Sequence, residues 1–181
     1  DTKAIIPIYI AGVNTGLAKL AGETCQGFHA HPFNSPRYLH EVILPAIEQG
    51  VTKAGRKRDE VTISVTAFVA TNAEEQNFCR AQIAFYASTP TYRPVMAHHG
   101  RGAGADRLRD LSRRGAWAEM GTLVSDEMLR TFAVVAPEAD LPAALRERYS
   151  GLADRLSLYT PFSPGTRDAF WHRLAVELHA A

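Results

Sequence analysis

An α/β fold on a parallel sheet is the prediction for this 181-residue sequence. Three observations carry it. Its apolar runs are short and continuous rather than alternating, each is followed by a helical pattern, and each is closed by Gly or Pro or passes into a polar turn. Continuous apolarity marks strands covered on both faces, as parallel sheets are. Strand–helix alternation is the βαβ signature.

The first run, Ile5-Ile6-Pro7-Ile8-Tyr9-Ile10-Ala11, stops at Gly12, and Leu17, Leu20 and Ala21 then share one face of a short helix. The second strand, Gly27-Phe28-His29-Ala30-His31, is closed by Pro32. Leu39, Val42, Ile43, Ala46 and Ile47 follow it at i, i+3, i+4, i+7, i+8, the spacing of one buried helix face. Pro45 lies inside that pattern and predicts a kink or a break. The third strand, 61–70, is dense in β-branched residues. Helical patterns follow near 73–88, 104–119, 125–133 and 138–152, and the fourth strand, 155–160, is closed by Pro161. Phe170, Leu174 and Leu178 line one side of a last helix. The four strands are expected to be parallel neighbours in chain order, with helices outside.

Composition narrows the function classes. Hydrophobic residues are 46% and charged residues 22%, ordinary for a globular domain. The net charge of +1 has no basic concentration, so a nucleic-acid surface is not expected. No apolar run reaches the roughly 18–20 residues of a membrane span, and no signal-peptide pattern opens the chain. Cys25 and Cys79 lie outside any CxxC, which fits a reduced, cytoplasmic compartment. A chain that opens on Asp1 and enters a strand within four residues is expected to be trimmed or partial.

Several segments carry chemistry. Ala11-Gly12-Val13-Asn14-Thr15-Gly16 is a Gly-containing strand-to-helix turn, whose backbone N–H groups and helix dipole suit an anion. The same residues also read as a tight turn capped by Asn14 or Thr15. His29 and His31 share a side at the C-terminal end of a strand, where α/β folds place ligands. They read as pocket-lining or cofactor-contacting, or as satisfied structural histidines; a metal would need a third ligand, such as His98 or His99. Arg93, in the aromatic stretch Ile83–Pro94, either holds an anionic cofactor tail or snorkels over core. Arg56–Glu60 reads as a solvated turn and Gly100–Gly104 as a mobile loop.

Ile6–Gly12, Leu20–Glu23 and Gly27–Phe33 resemble the second half of the bacterial luciferase-like flavin and deazaflavin oxidoreductases. Ile83–Pro90, Tyr92–Pro94, Arg114–Met120 and Tyr159–Phe162 resemble the deazaflavin (coenzyme F-420) branch. The resemblance covers essentially the whole chain and implies the C-terminal half of a (βα)8 TIM barrel. The four strands are then barrel strands five to eight, in one half-barrel domain over 1–181 with a helical insertion at about 73–135. It implies that Ala11, Gly12, Val13 and Asn14 hold the cofactor phosphate, with Asn34 in a nearby loop where relatives often carry a basic residue or His. Gln26 departs likewise from the usual Asp. His29, His31 and Arg93 complete the expected cofactor contacts; catalytic residues remain unassigned, because the family's first four strands carry the ring contacts and acid/base groups.

The implied function is hydride transfer between coenzyme F-420, or alternatively FMN, and an organic small-molecule substrate. The alternatives are a non-catalytic half-barrel that binds a flavin phosphate or a partner, and an FMN-dependent monooxygenase component. A half-barrel has two sheet edges, so a homodimer or a complex with a chain supplying the missing half is expected.

Overall fold

The computed structural model describes residues 6–179, and they divide into two compact units. One is the chain up to Thr66 together with Gly151–Ser157; the other is Ala67–Ser150 with the chain from Leu158 onward.

In the first unit, β1 (Tyr9–Gly12) leads into α1 (Thr15–Thr24) and β2 (Gly27–Ala30). Next come α2 (Pro36–Tyr38), a π-helical turn (Leu39–Ile43), α3 (Leu44–Lys53) and the start of β3 (Thr62–Ala70). β1 pairs β2 and β2 pairs β3, both parallel, with Ala11 opposite His29 and His29 opposite Ser64. Phe28, Ala30, Ile63 and Val65 are buried on one face, while Gly27, His29, Thr62 and Ser64 alternate onto the other. Gln26 ties the strand starts together: its Oε1 accepts from the Ile8 N–H at 2.9 Å and its carbonyl from the Thr62 N–H at 2.9 Å.

Two expectations are corrected here. Of the first predicted strand, Ile5 lies outside the described residues, and the ladder begins only at Tyr9. Pro7 has no N–H to donate and Ile8 spends its own on Gln26. Ile6 and Ile8 are exposed rather than covered, because among the described residues β1 has a strand on one side only. Leu17 and Leu20 of α1 also face outward, and its buried residues are Ala18, Ala21 and Gly22. The cause is close helix contact: a Cβ on Gly22 would stand 2.2 Å from the Ile47 carbonyl oxygen, and one on Gly50 2.1 Å from that of Lys19. Only small residues allow α1 and α3 this approach. Around Pro45, where a kink or a break was expected, the π turn gives way to α3, and Pro45 stands in the first turn of α3, where a missing N–H is tolerated.

In the second unit the end of β3 pairs parallel with β4 (Ala133–Val135), Phe68 opposite Ala133. β4 lies where a helix end was predicted; three residues are too few to show a period, and its pairing with β3 decides it. Its helices are α4 (Ala73–Ala87), α5 (Arg93–His98), α6 (Gly102–Arg113), α7 (Trp117–Met120), α8 (Asp126–Phe132), α9 (Leu141–Tyr149) and α10 (Asp168–His179). Gly102 and Gly104 belong to α6 rather than to a mobile loop, and a Cβ on either would meet only ordinary contact, 3.4 Å from the Arg93 guanidinium and 3.8 Å from Met96 Cε. β5 (Arg155–Tyr159), whose residues fall in both units, pairs β3, so the fourth predicted strand neighbours the third. Before α10, Arg167 adopts a left-handed φ of 57°. Its guanidinium bridges Glu75, Thr71 and Glu138 and lies over the Phe170 ring at 4.5 Å. Among the described residues no helix is long and apolar enough to cross a membrane.

Candidate cofactor-binding site

The turn after β1 is built by close packing. A Cβ on Gly12 would lie 2.9 Å from Leu17 Cβ and 3.2 Å from the Phe28 ring, so the strand can turn into α1 here only without a side chain. Val13 is buried beneath the turn. Asn14 takes the cap position of α1 in extended geometry, φ −117° and ψ 169°, but its side chain makes no cap hydrogen bond. The tight-turn reading with an Asn14 cap is therefore not what the geometry shows. No acidic residue sits in the first turn of α1, Thr15 and Gly16 are exposed, and nothing lies within 4 Å of a Cβ placed on Gly16. The positive end of the helix dipole thus carries neither a side-chain cap nor an acidic residue, the arrangement that suits an anion.

The loop after β2 stands beside this turn. The His31 N–H donates to the Gly12 carbonyl at 3.0 Å, extending the β1–β2 ladder by one bond. His31 Nδ1 accepts from the Phe33 N–H at 3.1 Å, which places the ring proton on Nε2. Burial pushes its pKa down to about 4, so His31 is a neutral imidazole at pH 7. Asn34 is buried and spends its amide N–H2 on the carbonyls of His31 (2.6 Å) and Thr66 (3.4 Å). What it retains is Oδ1, buried and without a hydrogen-bond partner among the described residues, and an acceptor does not hold phosphate. Asn34 thus orders the loop.

His29 sits one pleat back, exposed next to Ala11, with its ring 5.1 Å from that of Tyr9. The Arg155 guanidinium lies 5.9 Å from the Tyr9 ring, giving this face one cation beside two rings tilted at 35° to each other. Arg93 belongs to the other unit, where Asp106 binds it through two hydrogen bonds of 2.9 and 2.8 Å. That pairing satisfies the charge expected to hold a cofactor tail. His98 and His99 pack edge-to-face, and among the described residues no three His, Cys, Asp or Glu side chains come together as a metal site.

The structure therefore joins Gly12, Val13, Asn14 and His31, with Asn34 behind them and Ala11 and His29 alongside. Tyr9, Tyr38 and Arg155 also stand at this end or on this face and were not singled out by sequence, where they read as ordinary strand and helix residues; Thr15 was already part of the turn read there.

The profile of the luciferase-like monooxygenase family matches residues 1–155. An uncharacterized protein of Mycobacterium tuberculosis is 41% identical over 155 residues, covering 82% of this chain and 46% of that protein. An F-420-dependent glucose-6-phosphate dehydrogenase of Microbacterium testaceum is 38% identical over 56 residues, 31% of this chain and 17% of the enzyme. The coenzyme F-420-dependent tetrahydromethanopterin reductase from Methanopyrus kandleri superposes with a TM-score of 0.71 at 20% identity, covering 91% of this chain and 48% of that one. The chain spans about half the length of the M. tuberculosis relative, at 46%. With the family profile spanning most of its residues on a matching α/β fold, the chain belongs to the luciferase-like monooxygenase family.

Proposed function

We propose that this chain forms the phosphate-binding part of a deazaflavin-dependent oxidoreductase that moves a hydride between coenzyme F-420 and a small organic substrate. The observation that carries the reading is the uncapped N-terminus of α1, opened by the Gly12 turn. The backbone N–H groups of Thr15 and Gly16 hold the phosphate; Ala11, Gly12 and Val13 shape the turn around it. Neutral His31 lines the turn without adding charge. The Tyr9–His29 pair and Arg155 give the adjoining face an aromatic and cationic character suited to an anionic, aromatic group. Bound deazaflavin supplies the hydride chemistry, while the protein contributes position and electrostatics. F-420-dependent relatives favour this cofactor over FMN, which carries a similar phosphate.

Exposed Ile6 and Ile8, beside the side of β1 that pairs with no strand among the described residues, support a further element of the reading, a second copy or another chain that continues the sheet. The buried free thiols Cys25 and Cys79 suit a cytoplasmic enzyme.

Fluorescence titration of the chain with F-420 and with FMN, each with inorganic phosphate as competitor, tests the cofactor. Phosphate-sensitive binding of F-420 above FMN is expected. Tighter FMN binding would favour a flavin monooxygenase component, and binding of neither would end the reading.

A further inference from the structure

Of the 12 residues of α10, only Phe170 and Leu174 are buried. The helix is reached through 161–166, an exposed stretch without helix or strand, and then through Arg167. A left-handed φ of 57° is unfavourable for arginine and persists only where surrounding contacts impose it. Here those contacts come from two separate places in the chain. Arg167 Nη1 donates to the Glu75 carboxylate at 2.5 Å, in the first turn of α4. Nη2 donates to Thr71 Oγ1 at 3.1 Å and lies 2.7 Å from the Glu138 carboxylate. The guanidinium covers the Phe170 ring at 4.5 Å and the Trp171 ring at 5.3 Å. Nε is buried without a hydrogen-bond partner among the described residues, so the two terminal nitrogens carry the attachment. Thr71 directly follows β3, and Glu138 stands in the loop after β4. Arg167 therefore fastens α10 at the C-terminal ends of both strands, the end at which parallel sheets receive ligands.

We propose that Arg167 is an acid-sensitive latch and α10 the strap it holds: protonation of Glu75 releases the strap as a local unit and frees the C-terminal ends of β3 and β4 from it. The charged and titratable groups about the latch are Glu75 and the Cys79 thiol from α4, Glu138 from the loop after β4, and Arg173 beside Phe170 on α10 itself. Arg146 of α9 adds one tie, a hydrogen bond to the Glu177 carbonyl. Burial and the Glu75 charge push the Cys79 thiol up to about 12, so it stays neutral throughout. Burial alone would raise the Glu75 carboxyl too, but the Thr71 N–H and hydroxyl and the Arg167 guanidinium hold it below its usual range. Its share of the attachment is complete at neutral pH and is lost as pH falls through that lowered value. What then remains is two buried side chains, the Arg146 tie and an arginine in an unfavourable backbone conformation, which places α10 among the elements that open first.

The test is amide exchange of the full chain between about pH 7 and about pH 3, comparing the protection of α10 with that of β3. Trp171 emission, read in a Trp117→Phe background that leaves it the only tryptophan, follows the same step. In the wild type α10 should lose protection, and Trp171 emission should shift, at a higher pH than β3 loses its own. Glu75→Gln should speed α10 exchange about ten- to a hundred-fold at pH 7, the worth of one hydrogen bond to a charged group, and flatten the acid step. Should that variant not fold, Glu138→Gln, at a half-exposed carboxylate, should speed α10 exchange up to about five-fold and move the acid step to higher pH. Loss of protection in α10 and β3 at one pH would make them a single cooperative unit and overturn the proposal. An early release of α10 that neither substitution alters would overturn it as well, since the strap would then open without the latch.

Discussion

Thr15→Pro separates the proposed phosphate contact from the stability of the fold. Gly12 is the more obvious position, but a Cβ there meets Leu17 at 2.9 Å, so its replacement would disturb packing and binding together. Thr15 is the first residue of α1, its side chain is exposed, and its N–H has no intrahelical partner to lose. Proline is well suited to that first helical position, with φ already near the helical value. The residue before a proline prefers extended geometry, which Asn14 already has at φ −117° and ψ 169°. Folding should therefore be unharmed, and reduced freedom of the unfolded chain should add about 0.4–1 kcal/mol. The ligand loses one hydrogen bond to a charged group, about 1.5–3 kcal/mol. At 1.4 kcal/mol per decade that weakens phosphate-dependent binding about ten- to a hundred-fold. Fluorescence titration with F-420 and a thermal melt read the two quantities. Unchanged affinity with an intact melt would refute the Thr15 amide as a phosphate ligand; a collapsed melt would refute the account of the helix start.

Three further outcomes follow from the packing. Gly22→Ala should cost about 1–3 kcal/mol and lower the melting temperature, since its Cβ would stand 2.2 Å from the Ile47 carbonyl oxygen; an unchanged melt would mean α1 and α3 are not locked together. Burial alone would raise the pKa of Glu75, but the Thr71 N–H and hydroxyl and the Arg167 guanidinium outweigh it and hold the carboxyl below its usual range. Its stabilising contribution is full above the unfolded carboxylate value of about 4.3 and is lost as pH falls through the depressed folded value. Glu75→Gln should cost up to about 3 kcal/mol at pH 7 and flatten that acid loss, and acid melts parallel to wild type would contradict it. Sedimentation at micromolar concentration should show self-association, or complex formation with a chain continuing the sheet, weakened by Ile8→Lys; a cofactor-free monomer with a cooperative melt would refute the exposed β1 side as an interface.

Much of this molecule was legible in one dimension because its signals are local. Continuous β-branched runs such as 61–70, the i, i+4 spacing of Leu39, Ile43 and Ile47, and the Gly12 turn each depend on nearest neighbours along the chain, and each appears where expected. What periodicity misjudged depended on a partner distant in sequence. Leu17 and Leu20 look like a core face, but the approach of Gly50 to Gly22 gives the inner side of α1 to small residues. β4 exists only because Phe68–Ala70 pairs with it. Arg93 reads as a free cation until Asp106 is found beside it, and Asn14 as a helix cap until Tyr38, 24 residues on, claims its oxygen. Sequence alone determined the strand–helix order, the glycine turn and the family resemblance, since these rest on steric rules and motifs read along the chain. Only the tertiary structure decided which hydrogen-bonding groups are already spent and which stay open to a ligand, because a donor or acceptor is satisfied by whatever folding brings within about 3 Å of it.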